Sequence, residues 1–150
     1  MVFATLEAGC MPVEIRNPRF QEAVQESFSR QALMQTLGAT LARIAPGEID
    51  IAMPWRPDLG QQGGVLHAGV IASIADSACG YAALTLMPPA SEVVSIEFKL
   101  NLLAPGRGAS FLARGRVIRA GKTITAAAAD VFGDEILIAT MLATMMRRDA

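Results

Sequence analysis

The sequence is poor in charged residues, histidine and cysteine. Charged residues make up 18% of its 150 residues, and it contains one histidine and two cysteines. A net charge of -1 argues against a nucleic-acid partner held by phosphate neutralisation. One histidine with Cys10 and Cys79 supplies too few soft ligands for zinc, and two cysteines make no disulfide framework. We therefore expect no metal, no cofactor and a reducing, cytoplasmic location.

Export and membrane signals are also lacking. The N-terminal residues MVFATLEAGCMP have neither the positive start nor the sustained apolar core of a signal peptide. The one long apolar run, from Gln61 to Leu86, is mostly Ala, Gly and Ser and contains Asp76. An aspartate in the middle of a spanning helix costs about 3 kcal/mol on insertion scales. We expect no association with a membrane.

The chain is, however, rich in apolar residues, which account for 52% of it. That share leaves too little polar surface to cover a lone monomer, so self-association is expected. The length fits a single domain. Within it we distinguish an N-terminal extension and helix, residues 1–37, from the main unit, residues 38–150.

The run from Gln61 to Leu86 predicts a long central helix enclosed by protein, because it is apolar on every side. It opens with glycines and His67, ends before Pro88-Pro89, and holds Asp76 inside. An N-terminal helix is predicted over residues 18–37, with Gly38 as its stop, and its apolar stripe, which includes Val24 and Phe28, is expected to face the core. Period-two alternation predicts six strands, at residues 39–45, 48–53, 94–102, 110–119, 122–132 and 135–146.

These elements indicate an α+β fold in which an antiparallel sheet curls around the central helix. The last three strands form a meander with tight turns. The clearest alternation, over residues 94–102, predicts one apolar face and one polar face. The polar face carries Ser95, Glu97, Lys99 and Asn101.

Several motifs occur in a fixed order: Q-x-x-G-x-L-H-A-G, six residues and then D, from Gln61; V-S-I-E-F-K-L-N-L-L-A-P; and R-V-I-R-A-G-K. From about Gly38 to Arg147 the chain resembles the hotdog-fold thioesterases of the phenylacetate-pathway (PaaI-like) type. The resemblance implies a six-stranded antiparallel sheet wrapped around one helix. It also implies homodimers, often paired into dimers of dimers, that hydrolyse acyl-coenzyme A at the dimer interface.

The resemblance implies roles for five residues. Asp76 falls at the catalytic carboxylate, which acts as nucleophile or as general base, and the Ala68 amide falls at the oxyanion position. The usual family motif has glycine where this chain has Ala68, and alanine is expected to be tolerated there unless the position needs a positive φ. Gln61 aligns with a residue that orients the attacked water, and Ser95 with an assisting serine. His67 is expected to position the loop or the thioester by hydrogen bonding.

The residues themselves suggest further substrate contacts. The backbone N–H groups of Ala68 and Gly69, at the start of the central helix, are expected to be free to bind an oxyanion. Arg119 and Lys122, with Gly121 between them, either hold the phosphates of coenzyme A or belong to a solvated strand face.

The spacing of two candidates points to a dimer. His67 and Asp76 are nine residues apart, which in a helix is about 13 Å along the axis and half a turn around it. One chain cannot place both against the same thioester carbonyl, so a shared site needs a second protomer.

Other interpretations stay open. Asp76 could be a buried structural hydrogen-bonding group. The chain could also be a non-catalytic acyl-CoA-binding module. In such a module an apolar residue at position 76 would cost less free energy than a buried aspartate, which disfavours this interpretation. A hotdog dehydratase or hydratase is a third possibility, but those resemble a motif with a cooperating Asp and His. Aromatic, short-chain and medium-chain acyl groups all fit the sequence.

Overall fold

The structure, a computed structural model, describes residues 14–149. Cys10 and residues 1–13 of the predicted extension lie outside the described residues. The elements, in chain order, are α1 (Phe20–Ser29), α2 (Ala32–Leu37), β1 (Thr40–Ala45), β2 (Glu48–Pro54), α3 (Ala68–Leu84), β3 (Ser91–Leu102), β4 (Ser110–Ala120), β5 (Ile124–Gly133) and β6 (Ile136–Asp149). A single 3-10 turn, Pro57–Leu59, interrupts the loop before α3.

The six strands form one antiparallel sheet in the order β1-β2-β4-β5-β6-β3. Helix α3 packs against five of these strands and is largely buried along its length. The predicted hotdog fold, a sheet wrapped around one long helix, is thus confirmed. The predicted meander corresponds to β4, β5 and β6. The alternation pattern did not reveal that β3 lies beyond β6, as an edge strand.

The N-terminal helix is divided, which corrects the prediction of one helix over residues 18–37. Gln31 adopts an extended conformation with φ -82° and ψ 95°, and this interrupts the helical hydrogen-bond ladder between α1 and α2. The change of direction allows Val24 of α1 and Met34 of α2 both to be fully buried. The predicted stop at Gly38 is confirmed, because this residue caps α2 in the left-handed region at φ 69°.

Helix α3 lies very close to the sheet because small residues face each other. A Cβ atom added to Gly115 on β4 would lie 2.3 Å from the Ala78 carbonyl oxygen of α3. At the other end of the helix, Thr85 Oγ1 accepts the Gly47 N–H at 2.7 Å, which ties the helix to the β1–β2 turn. The helix is therefore held firmly against the sheet. No helix among residues 14–149 is long and apolar enough to cross a bilayer.

Candidate active site

The N-terminus of α3 is capped by the only histidine of the sequence. His67 precedes the first helical residue, and its Nδ1 accepts the Gly69 N–H at 2.9 Å. The N–H groups of Val70 and Ile71 bond to the His67 carbonyl oxygen at 3.0 and 3.2 Å. Within the part of the chain that the structure describes, the Ala68 N–H is the first-turn donor that lacks an acceptor.

The structure tests two expectations about this turn. Gly69 is not a second free amide, which corrects the sequence prediction, because the imidazole of His67 already occupies its N–H. Ala68 is tolerated at its position because it does not have a positive φ; the described non-glycine residues with positive φ are Ala90 and Asp134. The turn thus offers one amide, that of Ala68.

Gln61 lies in the loop before α3 and shares a cleft with Ala68. This cleft, which we call the amide cleft, has a volume of about 420 Å³. Apart from Gln61, its walls are mainly apolar and include Leu66, Ile71 and Leu102. Gln61 Oε1 accepts the Gly63 N–H at 2.6 Å, so its NH2 group is the part left to donate into the cleft.

Asp76 lies eight residues after Ala68 on α3, and the Ser95 side chain is hydrogen-bonded to it. The Ser95 hydroxyl donates to Asp76 Oδ1 at 2.6 Å. Asp76 is half-buried in the protomer, whereas the sequence predicted an enclosed carboxylate. The difference arises because a second cleft opens beside it. Asp76 is therefore both oriented by a neighbour and accessible to a ligand.

A β-bulge explains how Ser95 reaches Asp76. The pairing of β3 with β6 shifts between Ser95 and Glu97, which leaves Ile96 as the extra residue. Ser95 pairs with the buried Met145, whereas Glu97 pairs with Thr144. Strict alternation placed Ser95 on the same face as Glu97. That prediction was wrong, because the bulge turns Ser95 towards α3.

The second cleft, which we call the carboxylate cleft, has a volume of about 640 Å³. It lies between α1, the α1–α2 junction, the middle of α3 and the first residues of β3. Its polar lining side chains, besides Asp76 and Ser95, are Glu26, Ser27, Arg30, Gln31, Ser77, Tyr81, Ser91 and Glu92. The N-terminal helices thus form a wall of the cleft that holds the candidate carboxylate.

This wall is the main feature that the sequence did not reveal. The apolar stripe at Val24 and Phe28 predicted a core-facing surface, and the sequence contains no motif that indicates a binding function on the other side of α1. Tyr81 is the residue from which this wall could have been predicted, because a lone tyrosine in an apolar helix needs a partner for its hydroxyl. Its hydroxyl lies 3.4 Å from Ser27 Oγ, and its ring packs on Phe28 with centroids 5.5 Å apart.

Cys79 lies one turn after Asp76 but is not a competing nucleophile. It is fully buried, and burial raises the pKa of its thiol to about 12, with the nearby Asp76 carboxylate adding to the rise. Since the thiolate is the nucleophilic form, this thiol is inert at neutral pH. Within residues 14–149, no group of three or more His, Cys, Asp or Glu side chains is placed to hold a metal ion.

The candidate site residues thus form two separate pairs. The structure brings Asp76 together with Ser95, and Ala68 together with Gln61, but the pairs lie in different clefts. Ala68 and Asp76 are eight residues apart on one continuous helix, which is about 12 Å. A single protomer does not present its carboxylate and its free amide to the same carbonyl group.

The predicted phosphate-binding residues lie at the β4–β5 turn, with Arg119 near the end of β4 and Gly121 and Lys122 in the turn itself. Arg119 and Lys122 are exposed, and neither forms an ion pair within the described part of the chain. Gly121 donates its N–H to the Ile124 carbonyl oxygen at 2.9 Å, and an added Cβ would lie 2.4 Å from that oxygen. The turn therefore requires glycine. These residues line neither cleft, so their binding of phosphates stays a prediction.

Comparison with known proteins identifies relatives of this chain. The model of the thioesterase superfamily matches residues 63–139. The medium/long-chain acyl-CoA thioesterase YigI of Escherichia coli is 32% identical over 96 residues, which cover 55% of this chain and 62% of that protein.

Solved structures show the same architecture. A thioesterase family protein from Silicibacter pomeroyi superimposes with a TM-score of 0.85 at 42% identity, covering 87% of this chain and 99% of that one. The PaaI protein of Escherichia coli, from the phenylacetic acid degradation operon, superimposes with a TM-score of 0.82 at 17% identity, covering 90% and 97%. At 17% identity, the likeness to PaaI concerns the fold.

Proposed function

The chain belongs to the thioesterase superfamily and is a thioester hydrolase, and we propose that it hydrolyses acyl-coenzyme A to the free acid and coenzyme A. The observation that carries the proposal is the pairing of Asp76 with Ser95 in an open cleft beside a helix that carries a free N-terminal amide. The name of the Escherichia coli relative, an acyl-CoA thioesterase, supports this class of substrate.

The chemistry assigns each pair a task. Asp76 either attacks the thioester carbonyl carbon or takes a proton from a water that attacks it. The Ser95 hydroxyl keeps the carboxylate in one orientation. The carbonyl oxygen, which becomes an oxyanion, accepts the Ala68 N–H at the positive end of the helix. The carbon–sulfur bond then breaks, and the thiolate of coenzyme A leaves. If Asp76 is the general base, the attacking water supplies the oxygen of the free acid and Asp76 passes its proton to the thiolate. If Asp76 is the nucleophile, the acyl group stays on it as a mixed anhydride, which water hydrolyses to the free acid, and the thiolate takes its proton from water.

The two pairs meet if two protomers join at β3. This strand is a 12-residue edge of the sheet, so one side of its backbone has no partner strand within residues 14–149. Ile96 and Phe98, near its middle, are 52% and 44% exposed, although both are large apolar side chains. A long apolar edge strand is suited to pair with an identical strand.

Antiparallel pairing of two β3 strands also explains the positions of the clefts. Residues 91–93 and 95 of β3 border the carboxylate cleft, and residues 102–106, at and after the end of β3, border the amide cleft. Two-fold symmetry places the beginning of one strand beside the end of the other. The carboxylate cleft of one protomer then faces the amide cleft of its partner. We propose that Asp76 and Ala68 act together across this boundary.

The test is hydrolysis of aryl, short-chain and long-chain acyl-CoA thioesters, followed by release of free thiol. Asp76→Asn is expected to lower kcat by a factor of about 10² to 10⁴, the range for loss of a positioned acid or base. Asp58→Asn is the matched control, because Asp58 is an exposed carboxylate outside both clefts.

Binding of the thioesters without cleavage by the unmodified protein would instead support the non-catalytic acyl-CoA-binding module. An active Asp76→Asn variant would remove Asp76 from the mechanism.

A further inference from the structure

The loop that leads into α3 is supported from behind by the only tryptophan of the sequence. Trp55 follows β2 directly, is partly buried and lines neither cleft. Its backbone N–H donates to the Ala109 carbonyl oxygen at 2.9 Å, and its ring packs on the buried Phe111 with centroids 6.4 Å apart. The backbone and the indole of Trp55 are thus both anchored at the beginning of β4.

The outer edge of this indole lies against Gly60. A Cβ atom added to Gly60 would lie 2.9 Å from Trp55 Cη2 and 3.2 Å from the Pro57 carbonyl oxygen. The backbone of Gly60 has φ -82° and ψ 159°, which any residue can adopt. The close contacts, and not the backbone conformation, therefore require glycine at this position, and the indole limits how far Gly60 can move.

Gly60 is joined to the segment that begins α3. Gly60 and Leu66 pair with each other as an isolated antiparallel bridge. Gln61 comes directly after Gly60, and Ala68 comes two residues after Leu66. The amide cleft contains both the Gln61 side chain and Ala68. A displacement of this bridge would therefore move both hydrogen-bond donors of the amide cleft.

A second glycine supports the bridge at Leu66. The Leu66 N–H donates to the Gly106 carbonyl oxygen at 2.8 Å, and a Cβ added to Gly106 would lie 2.9 Å from Leu66 Cβ. The tip of the loop has no such support, since a Cβ added to Gly64 would meet no atom of the described residues within 4 Å. The position of the bridge thus depends on Gly106 at one residue and on Trp55 at the other.

We propose that Trp55 is a positioning residue for the hydrolysis, and that its indole, acting through Gly60, holds the two donors of the amide cleft in place for the thioester carbonyl. The inference rests on the proposed acyl-CoA hydrolase function. Displacing a group by about 1 Å from its productive position can cost about 10²-fold in rate. Loss of the contact between Trp55 and Gly60 should therefore slow the chemical step, although Trp55 does not touch the substrate.

A double-mutant cycle tests this contact with the best acyl-CoA substrate of the panel. Trp55→Phe keeps an aromatic ring beside Phe111 but lacks the atom that meets Gly60, and Gly60→Ala places a Cβ against the intact indole. Each change alone is expected to lower kcat about tenfold and to leave KM within about twofold, because the donors of the amide cleft act mainly on the transition state.

The combined variant should recover activity. The Cβ of Gly60→Ala then occupies the space left by the outer ring, and its remaining close contact is the one at 3.2 Å with the Pro57 carbonyl oxygen. We expect its kcat to lie within about threefold of the unmodified protein, whereas independent effects would multiply to about a hundredfold loss. Ile49→Val is the control for stability, because Ile49 is fully buried on β2 outside both clefts; it should destabilise the fold in urea without lowering kcat.

The outcomes separate the two proposals. Absence of hydrolysis with every thioester would refute the proposed function, and the inference with it. Three results would overturn the inference and leave the hydrolase function in place: an unchanged kcat in both single variants, a raised KM at unchanged kcat, or a combined variant that loses activity by the product of the single effects. A loss of kcat in Ile49→Val equal to that in Trp55→Phe would also overturn it, because reduced stability would then explain the effect.

Discussion

The free amide of Ala68 can be removed by a single substitution that the helix should tolerate. Ala68 is the first residue of α3, a position where proline is favoured because its missing N–H is not needed for the helix. The preceding residue, His67, has φ -65° and ψ 137°, which lies in the region that a following proline requires. Ala68→Pro therefore deletes the proposed oxyanion donor and little else.

The expected effect is large on catalysis and small on folding. Loss of one oxyanion donor in other hydrolases lowers kcat by a factor of about 10² to 10³. The Ala68 N–H has no acceptor in the described residues, so its removal costs no internal hydrogen bond. A proline that fits its position changes the free energy of unfolding by about 1 kcal/mol or less. Ala68→Gly, which keeps the N–H, is the matched control.

The assay is thiol release under saturating acyl-CoA, with unfolding in urea measured in parallel. A folded Ala68→Pro variant that retains more than about a third of the kcat would refute the assignment of the amide.

Mixed dimers test the shared site. When Asp76→Asn and Ala68→Pro chains are combined, one of the two sites has an intact carboxylate and an intact amide. Activity should return in the mixture, and continued inactivity would mean that each site lies within one chain.

Two further predictions concern packing and assembly. Gly115→Ala should lower the free energy of unfolding by about 3 kcal/mol, measured in urea, because its Cβ would lie 2.3 Å from the Ala78 carbonyl oxygen. Gly80→Ala is the control, since its Cβ would meet only Val93, at 3.8 Å; equal stabilities would contradict the packing argument. Phe98→Lys on the β3 edge should convert the proposed dimers to monomers in sedimentation and abolish hydrolysis together. A stable, active dimer would exclude β3 as the interface.

Much of the fold could be predicted because local patterns determine it. The apolar run with Asp76 predicted α3, and alternation predicted each strand to within a few residues of its observed bounds. The position of β3 beside β6 could not be predicted, since alternation identifies strands but not their neighbours. The division between α1 and α2 was missed because the apolar stripe continues across Gln31.

The candidate site was predictable where it depends on spacing and not where it depends on irregular backbone. The distance between the start of α3 and Asp76 follows from helix geometry and already indicated two protomers. The contact between Ser95 and Asp76 depends on the bulge at Ile96, which strict alternation does not indicate. Likewise, the bond from Gly69 to His67 depends on the imidazole rotamer at the cap.

The tight seating of α3 against Gly115 affects how the proposed shared site can be adjusted. The amide of Ala68 and the carboxylate of Asp76 are about 12 Å apart because they lie on one helix, and because this helix does not slide on its own sheet, both keep fixed positions relative to β3. In the proposed dimer, the gap between the amide of one protomer and the carboxylate of the other is then determined by the hydrogen-bond register between the two β3 strands. A slip of two residues changes it by about 7 Å. Substitutions along this edge can therefore stop hydrolysis while every residue of the site, and the fold of each protomer, stays unchanged.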